Sequence, residues 1–166
     1  MKIISICIPV YNEEINIENT YNTIRNLFEK KLINYDYEIV FTDNHSQDRT
    51  EKIITDICSK NSKVKYIRFR TNLLYDKSIL EGYKNSSGDA AIVLNCDLQD
   101  PPEIIPELIK KHEEGYEVVH TVRTKRKGES KFRMIVTKIA YYIINKLSDI
   151  NLPIEAGDYK LISKKV

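Results

Sequence analysis

Between Asn95 and Pro102 the chain sets two carboxylates, Asp97 and Asp100, beside two amides, Asn95 and Gln99, in the sequence Asn-Cys-Asp-Leu-Gln-Asp-Pro-Pro. Oxygen ligands at that density suit a hard divalent cation, and Mg²⁺ is usually held by one or two carboxylates together with substrate phosphates. Asp97 is the expected ligand. Asp100 is expected only to cap the helix that follows, an ordinary duty for aspartate.

A second polar run, Asp43-Asn44-His45-Ser46-Gln47-Asp48-Arg49-Thr50, offers acceptors for the N–H groups of a nucleobase. Asp48 reads as a helix cap. His45 has no partner at metal-ligand spacing and is expected to shape its loop or face solvent. The third cluster is basic: Arg123, Lys125, Arg126, Lys127, Lys131 and Arg133 crowd a stretch that also holds Gly128 and Ser130. Arg grips phosphate through parallel hydrogen bonds, so Arg123 and one or two others are expected to touch a ligand and the rest to be solvated. Lys and Arg beside an apolar helix can also attract anionic lipid headgroups.

Elements of alternating type must position these clusters. Strands are expected at Ile3 to Val10, Tyr37 to Thr42, Val64 to Phe69, Ala90 to Asn95, Tyr116 to Thr121 and Tyr159 to Ser163. Between them the helical period predicts helices at Ile15 to Leu32, Thr50 to Lys60, Tyr75 to Ser86 and Glu103 to Glu114, with Gly115 ending the last. Pro101 and Pro102 suit that helix's first turn, where an N–H is unpaired in any case. A strongly apolar helix is expected from Phe132 to Leu147, either buried or pressed against something outside the chain. Repeated strand-helix alternation implies an α/β fold, a mostly parallel sheet with helices on both faces. Ligands in such sheets bind beyond the carboxyl ends of the strands, where Tyr11 to Glu14, Asp43 to Asp48, Asn72, Asn95 to Asp100 and Arg123 all fall.

Composition narrows the function classes. The chain has 166 residues, 42% hydrophobic and 30% charged, and reads as a single domain over 1–166. With 26 Lys plus Arg against 24 Asp plus Glu, the net charge of +2 is too balanced for a nucleic-acid polycation. Three cysteines without paired spacing suggest neither a disulfide framework nor a zinc site, and fit a reducing cytoplasm. No apolar run is long enough for a membrane span, and no secretory signal is visible.

Four motifs, in order, resemble family 2 glycosyltransferases: Ile8-Pro9-Val10-Tyr11-Asn12-Glu13-Glu14, Thr42 to Thr50, Asp97-Leu98-Gln99-Asp100-Pro101-Pro102-Glu103 and Gly157-Asp158-Tyr159-Lys160-Leu161-Ile162-Ser163. The subgroup they resemble is the polyprenyl-phosphate sugar transferases, of the dolichol-phosphate mannosyltransferase and undecaprenyl-phosphate type. The resemblance implies a GT-A, Rossmann-like fold. It implies a nucleotide-diphosphate sugar donor, UDP- or GDP-linked, and Mg²⁺ or Mn²⁺ as cofactor. Pro9, Tyr11, Glu13, Asp43 and Asn44 would surround the nucleotide. Asp97 and Gln99, with Asn95, would face the metal and diphosphate; Arg123, Arg126 and Arg133 would hold an acceptor phosphate; Asp158 would sit near sugar and acceptor. Two positions depart from the pattern: Asn95 stands where the family usually has the first Asp of Asp-x-Asp, and Asn44 where a second Asp is common.

The implied reaction is inverting transfer of a sugar to a polyprenyl phosphate at the inner face of the cell membrane, with Asp97 and Asp158 as the catalytic pair. Family members of this subgroup continue into amphipathic and membrane helices, so the chain is expected to be a truncated catalytic domain or a short form. Transfer to a saccharide hydroxyl is a rival reading, for which Asp158 or Glu155 would have to act as base. A degenerate domain that binds a nucleotide sugar without turnover is another, supported by Asn95. A nucleotidyltransferase is disfavoured, because no Gly-rich phosphate loop with a Lys follows the first strand.

Overall fold

A computed structural model describes residues 1–122 and 156–166. The expected helix Phe132 to Leu147, Glu155 and the cationic residues Arg123, Lys125, Arg126, Lys127, Lys131 and Arg133 lie outside the described residues.

Alternation of buried isoleucines fixes the first strand. In β1 (Lys2–Val10), Ile4, Ile6 and Ile8 point to one face and Ser5 and Cys7 to the other, and all are buried. Around β1 the sheet is built as β3-β2-β1-β4-β6-β5, from β2 (Tyr35–Asp43), β3 (Val64–Arg68), β4 (Ala90–Val93), β5 (Val118–Val122) and β6 (Ala156–Ser163). β1 pairs in parallel with β2 and β4, and β2 with β3. β6 runs antiparallel between β4 and β5, so the expected mostly parallel sheet carries one reversed strand.

The helices are α1 (Ile17–Lys30), α2 (Thr50–Lys60), α3 (Tyr75–Lys84) and α4 (Ile105–Glu113), the last entered through a 3₁₀ turn, Pro102–Ile104. Ile17, Ile24 and Phe28 of α1, Ile54 of α2 and Ile105 and Leu108 of α4 pack with Ile4, Ile6, Ile39 and Phe41 in the larger core. On the other face Ile79 of α3 packs with Cys7, Ala91 and Val93. Helices thus cover both faces, as expected. α3 approaches so closely that a Cβ on Gly82 would stand 3.0 Å from Cys7 Cβ. Gly115, at φ 105°, ends α4 in the left-handed conformation that favours glycine. No helix among the described residues is long and apolar enough to cross a membrane.

From β1 the chain passes through α1 to β2, on one side along the sheet, and from β4 it passes through α4 to β5, on the other. The connections leaving the carboxyl ends of β1 and β4 therefore part and open a crevice between these neighbouring strands.

Candidate active site

Backbone conformation marks this edge of the sheet. Among the described residues the non-glycine positions with positive φ are Asn12, His45, Leu74 and Leu98, one in each connection leaving β1, β2, β3 and β4. Such conformations cost of order 1–3 kcal/mol, persist only where their surroundings over-determine them, and cluster at functional sites.

Part of that over-determination is a seam between the first two loops. Asn12 N–H donates to Ser46 Oγ at 2.9 Å, and Asn12 Oδ1 accepts from Gln47 N–H at 2.8 Å. Glu13 N–H donates to Thr50 Oγ1 and Glu14 N–H to Asp48 Oδ2. Glu14 in turn accepts the Arg49 N–H at 2.9 Å and pairs with its guanidinium, which holds the Glu14 carboxyl below its usual range. Asp48 also accepts Thr50 N–H at 3.0 Å just before α2, although the helix's N-cap position is Arg49 and has no side-chain cap bond, so Asp48 is not the cap expected of it. His45 shapes its loop, with Nδ1 3.3 Å from the Phe69 carbonyl.

The seam frames a cleft of about 370 Å³ at the carboxyl ends of β1, β2 and β4. Of the residues expected from sequence, Pro9, Tyr11, Glu13, Asn44, Asn95 and Asp97 line it together. Glu13 is steadied by Asn16 Nδ2, which donates to its carboxylate at 2.7 Å. Asp43 is placed differently. It is fully buried, one oxygen accepting from Ser46 N–H and Oγ–H and the other from Tyr66 O–H at 2.6 Å, with Arg68 3.9 Å away. Burial and that bond to Asp43 both push the Tyr66 phenol pKa up. Asn44, almost as buried, spends its side chain on the loop after β3: Oδ1 accepts Leu73 N–H and Nδ2 donates to the Leu74 carbonyl.

Leu74 and Tyr75 complete the cleft, and sequence reasoning assigned neither a role. Tyr75 O–H donates to Asn95 Oδ1 at 2.7 Å, and Asn95 Nδ2 donates to Asp100 at 3.2 Å. Burial, followed by the negative charges of Asp158 and Asp100, pushes the Tyr75 phenol up to about 12. Asp158 itself sits exposed on β6 and is not among the residues that line the cleft. Asp100 does not cap the following helix. The N-cap position of the 3₁₀ turn is Pro101, whose ring carries no acceptor, so the turn starts with no side-chain cap.

Asp97 is exposed and accepts Gln99 N–H at 3.1 Å through one oxygen; Gln99 is exposed beside it. Among the described residues no three His, Cys, Asp or Glu side chains gather as a metal site. This donor set fits a cation that takes most of its oxygens from a diphosphate, with Asp97 as the protein carboxylate and Gln99 as a flanking amide.

Comparison with known proteins decides the family. The sequence pattern of Glycosyl transferase family 2 matches residues 5–166. The chain belongs to glycosyltransferase family 2. It is 40% identical over 162 residues to the uncharacterized glycosyltransferase YkcC of Bacillus subtilis (strain 168), covering 98% of this chain and 50% of that protein. It is 35% identical over 163 residues to the bactoprenol glucosyl transferase of Shigella phage SfV, covering 98% of the chain and 52% of the relative. The chain thus spans about half the length of the curated relatives it matches. Its fold is that of GT-A glycosyltransferases. Glucosyl-3-phosphoglycerate synthase from Mycobacterium tuberculosis, in complex with Mn²⁺, UDP and phosphoglyceric acid, superposes with a TM-score of 0.67 at 20% identity, over 99% of this chain and 56% of that one. Staphylococcus aureus TarS 1–349 in complex with UDP gives 0.57 at 22% identity, over 78% and 38%.

Proposed function

We propose that the chain is the catalytic part of a metal-dependent, inverting glycosyltransferase that moves a sugar from a UDP-linked donor to a polyprenyl phosphate at the inner face of the cell membrane. One observation carries this reading: Pro9, Tyr11, Glu13, Asn44, Asn95 and Asp97, six of the residues that the family resemblance assigns to the donor and metal, line a single cleft, in a chain related along 163 residues to bactoprenol glucosyl transferases. The UDP held by structural neighbours favours uridine as the base.

In this reading Pro9, Tyr11 and Glu13 contact the nucleotide, Asn44 holds the loop wall beside it, and Asp43 braces the loop from below through Ser46. Asp97, with Gln99, would hold a divalent cation, which when bound would supply positive charge against the diphosphate. Arg123, Arg126 and Arg133 are assigned to the acceptor phosphate. An oxygen of that phosphate attacks the anomeric carbon from the face opposite the diphosphate; the new C–O bond forms as the old one breaks, and UDP leaves with the electron pair. A phosphate monoester with a second pKa near ~6 is largely dianionic at neutral pH, so it needs positioning more than deprotonation. Asp158 is assigned to that positioning.

Calorimetric titration with UDP and GDP, each with and without Mn²⁺, tests the donor site alongside Asp97→Ala. Metal-dependent binding of UDP, lost in the variant, is the expected result. A folded chain that binds neither nucleotide overturns the reading, and mass analysis showing sugar on a hydroxyl instead of a lipid phosphate overturns the acceptor assignment.

A further inference from the structure

Asn95 stands where the cleft meets the end of β4, and both ends of its amide are engaged. The carbonyl oxygen accepts the Tyr75 hydroxyl proton at 2.7 Å, and the nitrogen donates to the Asp100 carboxylate at 3.2 Å. One neutral side chain therefore ties the first residue of α3 to the buried aspartate that closes the β4 turn. Asp97 is left as the exposed carboxylate of that turn.

For a divalent cation this tie matters. A hard cation needs several oxygen ligands and sheds its water reluctantly, so a site offering little beyond one carboxylate holds it weakly. At the end of β4 the next two oxygen donors are turned elsewhere, the Asn95 carbonyl toward a phenol proton and Asp100 toward an amide N–H. The geometry points to a latch, in which Tyr75 and Asn95 keep the β4 turn short of oxygen ligands beside Asp97, so that a divalent cation enters there only together with a nucleoside diphosphate. The diphosphate oxygens complete the shell that the protein withholds. Tyr75 is the positioning residue of this device: it touches Asn95 and acts on the cation through it. The inference rests on the donor-site reading above.

The test measures Mn²⁺ binding directly, by the electron paramagnetic resonance signal of free Mn²⁺, for the wild-type chain, Tyr75→Phe and Asn95→Asp, each with and without saturating UDP. Saturating UDP should tighten Mn²⁺ binding of the wild type about tenfold or more, a coupling of ordinary size between two ligands. Tyr75→Phe removes one hydroxyl and frees the Asn95 carbonyl. It should narrow that ratio about threefold or more by strengthening Mn²⁺ binding to the nucleotide-free chain. Asn95→Asp adds a carboxylate beside Asp97 and should narrow it further; Tyr75→Phe decides the matter if Asn95→Asp fails to fold. A tie that is merely structural lowers the melting temperature of Tyr75→Phe but leaves the ratio unchanged, and that result overturns the latch. UDP that binds while Mn²⁺ affinity is the same with and without it also overturns the latch but leaves the donor site standing. UDP that binds under neither condition overturns both.

Discussion

The Asn44 amide nitrogen donates to the Leu74 carbonyl at 3.3 Å, and that bond helps hold Leu74 at φ 70° and ψ 162°, a conformation otherwise left almost entirely to glycine. Leu73 N–H donates back to Asn44 Oδ1 at 3.1 Å, and Leu74 N–H donates to Asn72 Oδ1 at 2.9 Å. Two asparagines thus impose the turn that starts α3 and walls the cleft. An aspartate at 44 could still accept from Leu73 but would set a charge against the Leu74 carbonyl, which gives a physical reason for asparagine at that position.

Leu74→Gly should therefore stabilise the fold. Strain of about 1–3 kcal/mol is relieved, against about 0.5–1 kcal/mol for the freer unfolded chain. The Leu74 side chain is 73% exposed, so little burial is lost with it. A net gain of roughly 1 kcal/mol in urea denaturation is expected. A loss of stability would show that the leucine side chain contributes packing that outweighs the strain.

Acid stability should depend on Glu38, at the opposite end of the sheet from the cleft. This carboxylate accepts from Ser5 Oγ at 2.6 Å, Ser87 Oγ at 2.7 Å and the N–H groups of Ser87 and Gly88, and it pairs with Lys65 at 2.7 Å. Burial alone would raise its pKa, but Lys65, Ser5 and Ser87 together hold it at about 2. A carboxyl whose folded pKa is depressed contributes stability that is fully present above its unfolded value. That contribution is lost as pH falls from about 4.5 to about 2. The shift corresponds to roughly 3 kcal/mol. Denaturation midpoints measured across that window should fall steeply for the wild type, and the slope should flatten in Glu38→Gln. An equal slope in both chains would place the acid sensitivity elsewhere.

The sequence shows the sheet's two faces plainly, because Ile4, Ile6 and Ile8 alternate with Ser5 and Cys7, and it shows the seam residues as polar runs after strands. It does not show strand order. Nothing local in Ala156–Ser163 says that this strand inserts antiparallel between β4 and β5, since its pairing partners lie far away along the chain. Asp43 reads as an available acceptor until Tyr66 and Arg68, from the neighbouring strand, occupy it. Tyr75 reads as an aromatic at a helix start. Its role depends on a partner 20 residues further on.

Thiol reactivity follows from burial. Burial first, then the nearby Glu38 charge, pushes the Cys7 thiol up to about 12, and burial with the Glu13 charge does the same for Cys96. Cys58 is half-buried, its pKa raised by burial. Iodoacetamide at pH 8 should leave Cys7 and Cys96 unmodified in the native chain and label Cys58 slowly, whereas all three should react in denaturant. Rapid native labelling at Cys96 would mean that the β4 end opens readily, and would weaken any account in which that turn is held in place.

Asp158 separates two mechanisms. Its carboxylate is exposed on β6, and its negative charge contributes to raising the Tyr75 phenol. A positioning carboxylate contributes through the placement of sugar or acceptor, and Asp158→Asn keeps most of its shape and hydrogen-bonding reach. With a polyprenyl phosphate acceptor, turnover should then fall only partially, about tenfold to a hundredfold, with the pH dependence of kcat/KM unchanged. A general base contributes typically ~10²–10⁴-fold and leaves its pKa in the rate profile. Collapse of the chemical step together with loss of the acidic limb of that profile would assign the base to Asp158, and would favour a hydroxyl acceptor over an already ionised phosphate.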